Sequence, residues 1–509
     1  MRAFLGAFAI LIGLALGLFP IMGAQAEDAP LRVALVDSPQ GFDPALAVVG
    51  ASHQAIDLIF SGLTRLDNNS DPQPDLAESW TTDETGTVYT FKLRSGVKFH
   101  DGQPLTADDV VFTFERLMDP KTGYAYATQV ESFKAVRAVD PQTVEITLSK
   151  PTGPLLTFLA FPGNFIVPKH IGAAGDGLTT KPVGTGPYVF VSYSPNQEMI
   201  LKRNPYYYVA GYPKLDLDIK YIPDDTERTN ALLGGTIDFA SRVAPKDFDQ
   251  IVGTPGFKGS ETIGGRWYSL LTNVEGKLVD NPLVRKAISF AVDRQAMVDV
   301  LFFGHAEPML GGPIPNWSWA YDPATDMVPP TGDVEKAKAL LAEAGYPDGI
   351  DIDVTLSSSW RNLLEQGPLL KEMLAKANIR VNLLSMENPR WVEEVWVGGK
   401  YQVANNYWLS PLADPDDFIY LSYKCKSGMN AQRYCNAKFD DLVEQARYTS
   451  DKAARKALYT EATRILDEEL PLIPTVNAAI LDAFSDKVVG WEPMRTGMYR
   501  NLGAVSLAN

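Results

Sequence analysis

The stretch PDLAESWTTDETGTVYTFKLRSGVKFHDGQPLTADDVVFTFERLM, residues 74–118, changes hydrophobic period twice, and turn residues mark each change. Residues 82–86 are polar and read as a turn. From 88 to 93 the chain alternates, with Tyr89, Phe91 and Leu93 on one face and Thr90 and Lys92 on the other, which predicts a half-buried strand. Ser95-Gly96 closes that strand, Val97-Lys98-Phe99 reopens an edge, and Asp101-Gly102 turns the chain again. Thr106 precedes Asp109 by three residues in a capping-box arrangement, and Val110, Phe114 and Leu117 follow at i, i+4 and i+7, predicting a capped amphipathic helix. The segment contains no catalytic, metal-binding or phosphate-cradling motif. It predicts scaffold.

Outward from this stretch, the chain of 509 residues exceeds what one hydrophobic core supports, so two or three domains are expected. Its 45% apolar and 21% charged residues are an ordinary globular mix. A net charge of −16 argues against a nucleic-acid or anionic-membrane partner, since both select for basic patches. Residues 1–26 differ from the rest: Arg2 is the only charge, residues 4–19 are apolar, and Ala24-Gln25-Ala26 is an A-x-A site, which predicts a cleaved secretory signal. Cleavage removes one positive charge, leaving −17. No cysteine lies near the cleavage site, so no lipid anchor is expected, and no other stretch has the length and apolarity of a membrane span. Cys425 and Cys435, ten apart in an oxidising compartment, read as one disulfide. A redox or metal pair would want closer spacing and more ligands, and the four histidines are dispersed, so no metal or cofactor is expected.

Along the chain, residues 31–36 predict an opening strand, and residues 48–52 a small-residue loop feeding a helical pattern at 55–63. Backbone amides there would suit an anionic or carbonyl ligand, which makes Val48, Val49 and Gly50 candidates. Gly184-Thr185-Gly186-Pro187 is not a nucleotide cradle, because neither a lysine–serine pair nor G-x-G-x-x-G spacing accompanies it. Asn281-Pro282 caps a helix with Val284, Ile288 and Ala291 inward. Residues 352–356, a helix through Leu374 and residues 379–383 form a strand–helix–strand unit, the mark of a mostly parallel sheet. Two α/β halves joined near 270 and again near 480 imply a cleft crossed by two linkers, with a solute between the lobes favouring closure.

The runs Leu76-Ala77-Glu78-Ser79-Trp80, Phe99-His100-Asp101-Gly102 and Thr106-Ala107-Asp108-Asp109-Val110 closely resemble the family 5 extracellular solute-binding proteins of peptide, dipeptide and nickel ABC importers. The resemblance extends from Gly41-Phe42-Asp43-Pro44 through Val183-Gly184-Thr185-Gly186-Pro187-Tyr188 to Leu470-Pro471-Leu472-Ile473-Pro474. It implies a two-lobed periplasmic-binding-protein fold of type II, α/β, with an extra subdomain in the first lobe and two linkers as the hinge. The expected division is a signal at 1–26, a first lobe at 27–271 with its subdomain at about 72–182, a second lobe at 272–480 and a return at 481–509. The implied protein is a periplasmic monomer that passes a small solute to an inner-membrane ABC permease.

Three loops of the second lobe are dense in aromatic and polar residues: Ser357-Ser358-Ser359-Trp360-Arg361, Asn388-Pro389-Arg390-Trp391 and Asn405-Asn406-Tyr407-Trp408. They follow strands, at the sheet edge where open α/β folds place ligands. Arg361 has the fork to pair with a carboxylate, while Trp360 and Trp408, with Asn406 nearby and Trp267 beside the first linker, supply walls and polar contacts. Asp414-Pro415 followed by Phe418 resembles the family's D-P-x-x-[FY] motif. Peptide-binding relatives carry an aspartate three residues earlier to pair with the ligand's ammonium group; here Pro411 stands there, with Asp414 as a substitute or as the cap of the next helix. That departure leaves peptide-like compounds, opines, short sugars and metal chelates open beside peptides. A secreted hydrolase is the contrasting class, but G-x-S-x-G, H-E-x-x-H and serine–lysine signatures are absent, and the paired acids Glu393-Glu394 and Asp416-Asp417 point apart as sequence neighbours. A chemosensory ligand carrier would share the same fold and cleft.

Overall fold

The computed structural model describes residues 29–508 except 174, 176, 359, 360, 411 and 413, and without the side chain of Arg361. The signal segment 1–26, Trp360, Pro411 and the Arg361 guanidinium therefore lie outside the described residues.

The opening stretch folds as its periodicity predicts. Strand Val88–Leu93 buries Tyr89, Phe91 and Leu93 within a four-stranded antiparallel sheet with Ala77–Thr82, Thr143–Leu148 and Phe133–Asp140. Helix Ala107–Met118 lays Val110, Phe114 and Leu117 on that sheet, Phe114 meeting Phe133 at 5.4 Å between ring centroids. The Asp109 carboxylate accepts from the backbone N–H of Thr106 at 2.9 Å and from its hydroxyl at 3.1 Å, closing the helix start. Residues 97–99 form only an isolated bridge, Lys98 to Pro104, because the Asp101-Gly102 turn brings Gln103 straight back to Phe99.

The main sheet has eleven strands among the described residues and runs through both lobes. On the first-lobe side, Leu31–Leu35 lies parallel to Leu217–Tyr221 and Phe239–Ala240; on the second, Ile350–Ser357 lies parallel to Ile379–Met386 and Val403–Leu409. Two long antiparallel strands, Phe257–Thr272 and Leu472–Ser485, join the sides. Their pairing is regular from Phe257↔Ser485 to Ile263↔Ala479, then shifts register before Trp267 and again before Ser269. At this break Gly264 and Gly265 touch other backbone: an added Cβ would lie 2.2 Å from the Arg495 carbonyl and 2.3 Å from that of Ser410, so no larger residue fits. The Asn477 side chain donates to the carbonyls of Gly264 at 2.9 Å and Arg266 at 2.6 Å, satisfying groups that the ladder leaves unpaired.

Helix Gly50–Ile59 starts earlier than its apolar pattern suggests, because the Val49 carbonyl accepts from Ser52 at 3.0 Å and His53 at 3.2 Å. It stops at Ile59, whose carbonyl accepts from Gly186 at 2.9 Å; a Cβ on Gly184 or Gly186 would sit 2.2 or 2.5 Å from Ile59 backbone atoms, which explains the glycines of the G-T-G-P turn. Cys425 and Cys435 are joined in a disulfide.

The C-terminal segment is locked to this helix by Arg500. Its guanidinium donates to Asp57 at 3.1 Å, Asp75 at 2.8 Å and the Phe60 carbonyl at 2.9 Å, all out of solvent. Arg500→Ala strips two buried carboxylates of their counterion and is expected to cost about 3–5 kcal/mol in urea unfolding. A loss below about 1 kcal/mol would show that the triad is not a structural tie.

Candidate functional site

Two adjoining cavities of about 510 and about 220 Å³ lie between the lobes and share Val36, Asp37, Arg242, Arg266 and Tyr407 as lining residues. The first-lobe wall is built where parallel strands end: Val36 and Asp37 follow Leu31–Leu35, and Arg242 follows Phe239–Ala240. Ligands of open α/β sheets bind at this edge. Val49, Gly50 and Ala51, the first turn of helix Gly50–Ile59, complete that wall. No side chain caps this helix end, and the amides of Gly50 and Ala51 have no acceptor among the described residues, so they and the helix dipole present partial positive charge to the cleft. The opposite wall carries Tyr407 and Leu409 from strand Val403–Leu409, with Tyr268 from the crossing strand.

Two guanidinium groups reach the cleft by different means. Arg242 adopts a left-handed backbone, φ 47°, which costs a non-glycine residue about 1–2 kcal/mol. Its N–H donates to Asp482 at 3.1 Å and its Nη2 to Asp37 at 2.7 Å, while its Nε is buried with no partner among the described residues. Burial opposes its charge, but Asp37 and Tyr499 more than offset that, and its pKa stands above the ordinary value. Arg266 lies over the rings of Tyr407 at 5.2 Å and Tyr268 at 5.7 Å, a cation–π seat. It has no ion pair among the described residues, and its Nε is likewise buried and unpartnered.

Of the residues singled out from the sequence, Val49 and Gly50 line the larger cavity; Val48, beside them, is 56% exposed and does not. Trp267, Asn406 and Trp408 are buried on the opposite face of the same strands from Arg266, Tyr268, Tyr407 and Leu409, and line neither cavity. Trp267 and Trp408 pack in a second-lobe core, and both indole N–H groups and the Asn406 Nδ2 lack partners among the described residues. Asp414 pairs with Arg455 at 2.7 Å and accepts from the Asp416 N–H at 2.9 Å, so it holds a buried ion pair and the following turn. Sequence reading missed Asp37, Arg242 and Arg266, and within the run Asn405-Asn406-Tyr407-Trp408 it singled out Asn406 and Trp408 where Tyr407 lines the cavities. The findable signal was parity: Arg266 is a lone charge between glycines and an apolar run, on the face that alternates with Trp267. As for metals, the group Cys425, Cys435 and Asp440 is the one set within ligating reach among the described residues, and its sulfurs are already joined to each other.

A two-lobed α/β frame with a cleft at its hinge is the architecture of solute-binding proteins. The chain matches the model of the bacterial extracellular solute-binding proteins, family 5, over residues 71–430, and it belongs to that family. It is 30% identical over 499 residues to di/tripeptide-binding protein 2 of Pseudomonas aeruginosa, covering 92% of this chain and 93% of that one. The periplasmic binding protein DppA of Helicobacter pylori, solved with the peptide STSA, superposes with a TM-score of 0.82 at 29% identity, covering 94% of this chain and 98% of that one. AgaA of A. tumefaciens R10, solved with agropinic acid, gives 0.81 at 27% identity, covering 94% and 99%.

Asp482, behind Arg242, is fully buried, and burial pushes its carboxyl from the ordinary 3.8 up to about 7 against the pull of the Arg242 N–H. Between those values the folded chain holds a proton that the unfolded chain has released, so this group's stabilisation is complete below about 4 and is lost as pH rises to about 7. Urea-unfolding free energy of Asp482→Asn should therefore fall less steeply over that interval than that of the parent; equal slopes would exclude Asp482 as a source.

Proposed function

We propose that this chain is a periplasmic capture protein that closes its lobes on a small peptide, or on a peptide-like or opine-like solute, and delivers it to an inner-membrane ABC permease. The observation that carries this reading is the cavity pair between the lobes, placed beside the break in the two strands that connect them. The peptide held by the H. pylori relative and the agropinic acid held by the A. tumefaciens relative support the solute class. Export rests on the signal segment 1–26; among the described residues no helix is long and apolar enough to cross a membrane.

In this reading the first lobe takes residues 27–271, with a small subdomain at about 72–182; the second takes 272–480, and 481–509 return to the first. The mechanism is rotation of one lobe against the other about the Gly264–Arg266 break. A solute touching Val49–Ala51 on one side and Tyr407 on the other meets both walls only when the cleft is closed, so its binding energy is what shifts the open–closed equilibrium. No catalytic step is required. Arg361, at the start of helix Arg361–Lys376, remains a proposed carboxylate partner from the second lobe.

The test is to purify the chain from the periplasm, release its solute by denaturation, identify it by mass spectrometry and add it back to the stripped protein. Added at one hundred times its Kd, the solute should stabilise the fold by about 2.7 kcal/mol and reduce the radius of gyration seen by X-ray scattering, with the solute recovered unchanged. Conversion of the solute would overturn the reading in favour of an enzyme. Binding without compaction would overturn closure.

A further inference from the structure

Resting on the capture reading above, we infer that the cleft selects a solute of net negative charge, with a carboxylate held by the guanidinium of Arg266. In a chain of net charge −16 the larger cavity runs the other way: its charged lining residues are Asp37, Arg242 and Arg266. Asp37 is taken by Arg242 at 2.7 Å, which leaves Arg266 without a counterion among the described residues. Its neighbours fix its position without neutralising it, since tyrosine faces at 5.2 and 5.7 Å attract a cation through their quadrupole and carry no net charge.

Lobe closure withdraws water from this group. A guanidinium desolvated without a hydrogen-bonded anion is strongly disfavoured, so closure over a neutral or cationic solute is opposed. A carboxylate meets the guanidinium fork with paired, charge-assisted hydrogen bonds. The rest of the larger cavity reinforces the sign: the uncapped amides of Gly50 and Ala51 donate, and the buried Nε of Arg242 lacks an acceptor. The smaller cavity adds Lys246 and Glu365, with Arg228 already paired to Asp225 at 2.6 Å, and so supplies no excess of acid that would recruit an ammonium group. A carboxylate-bearing solute whose amine is acylated or absent fits this arrangement better than a dipeptide with a free amino terminus.

The experiment combines mass spectrometry of the released solute with calorimetry of the stripped parent, Arg266→Gln and Arg266→Lys chains. The probes are the released solute and four defined compounds: N-acetyl-alanylglutamate, succinate, alanylalanine and spermidine. The expected result is an acidic released solute, binding of at least one acidic probe and no binding of spermidine. The tightest acid should lose at least tenfold in affinity in Arg266→Gln and less in Arg266→Lys, with the ligand-free melting temperature of both variants unchanged. A neutral or cationic released solute, with the acids excluded, overturns the charge assignment and leaves capture standing. Tight acid binding that Arg266→Gln does not weaken overturns the role of Arg266. If no solute is released and no probe binds, the capture reading itself falls.

Discussion

Two strands must serve two hydrophobic cores at once, and the rest of the molecule depends on how they do so. Leu481 and Ala483 of strand Leu472–Ser485 pack in a first-lobe core, while Ile473, Val476 and Ala478 of the same strand pack in the second. The partner strand divides the same way, with Tyr268 and Leu270 on the second-lobe side. An unbroken ladder along both strands would tie the lobes into one twisted ribbon. Breaking it exposes carbonyls in the interior, and each one left unpaired would cost about 1–3 kcal/mol. The Asn477 amide, bonded to the carbonyls of Gly264 and Arg266, removes that penalty, and the Gly265 N–H finds the Arg495 carbonyl at 2.9 Å. A bend is thus built into a sheet with its hydrogen bonds made.

A hinge is useful only between rigid bodies, and buried arginines supply much of that rigidity. Arg294 donates to the carbonyls of Ser289, Val292 and Pro474, and burial lowers its pKa to about 9. Arg455 holds Asp414 and the Tyr459 hydroxyl within the second lobe, as Arg500 holds Asp57 and Asp75 within the first. Contacts that cross from lobe to lobe away from the hinge are of two kinds: buried Arg447 donates to the Thr128 carbonyl and lies 3.5 Å from Glu131, while others sit at the surface. Lys452 meets Asp71 at 3.2 Å with both side chains more than half exposed, and the Tyr448 hydroxyl meets Glu131 at 3.1 Å near the surface. Exposed polar pairs of this sort contribute at most about 1 kcal/mol each.

Local chemistry was legible in the sequence wherever partners sit close along the chain. Thr106 and Asp109 are three residues apart, Cys425 and Cys435 ten, and the alternation of Tyr89, Phe91 and Leu93 needs only its own strand. The cleft was less legible because its members converge from afar: Asp37 and Arg242 are separated by 205 residues. Residue type also misled where parity would have guided. Trp267 and Trp408 drew attention as large aromatics, yet they face each other across the ladder on the side away from the cavities, and their neighbours Arg266 and Tyr407 line them. Asp414 had the chemistry to meet an ammonium group, but Arg455, 41 residues on, claims it.

The strongly negative chain and the positively polarised cleft are compatible because they act over different distances. At physiological salt, charges on the outer surface are screened within about 8 Å, so most of the net −16 is not felt by a solute already between the lobes. Inside, where water is thinned and the dielectric falls, a single unneutralised guanidinium outweighs a distant field. The left-handed backbone of Arg242 belongs to the same logic. Its conformational strain is retained because it directs one residue to two carboxylates, Asp482 through the main chain and Asp37 through the side chain. With Asp37 engaged there, Arg266 stands on the opposite side of the shared cavities as the cation without a partner among the described residues, and the sign of the site is set by where the acids are already committed.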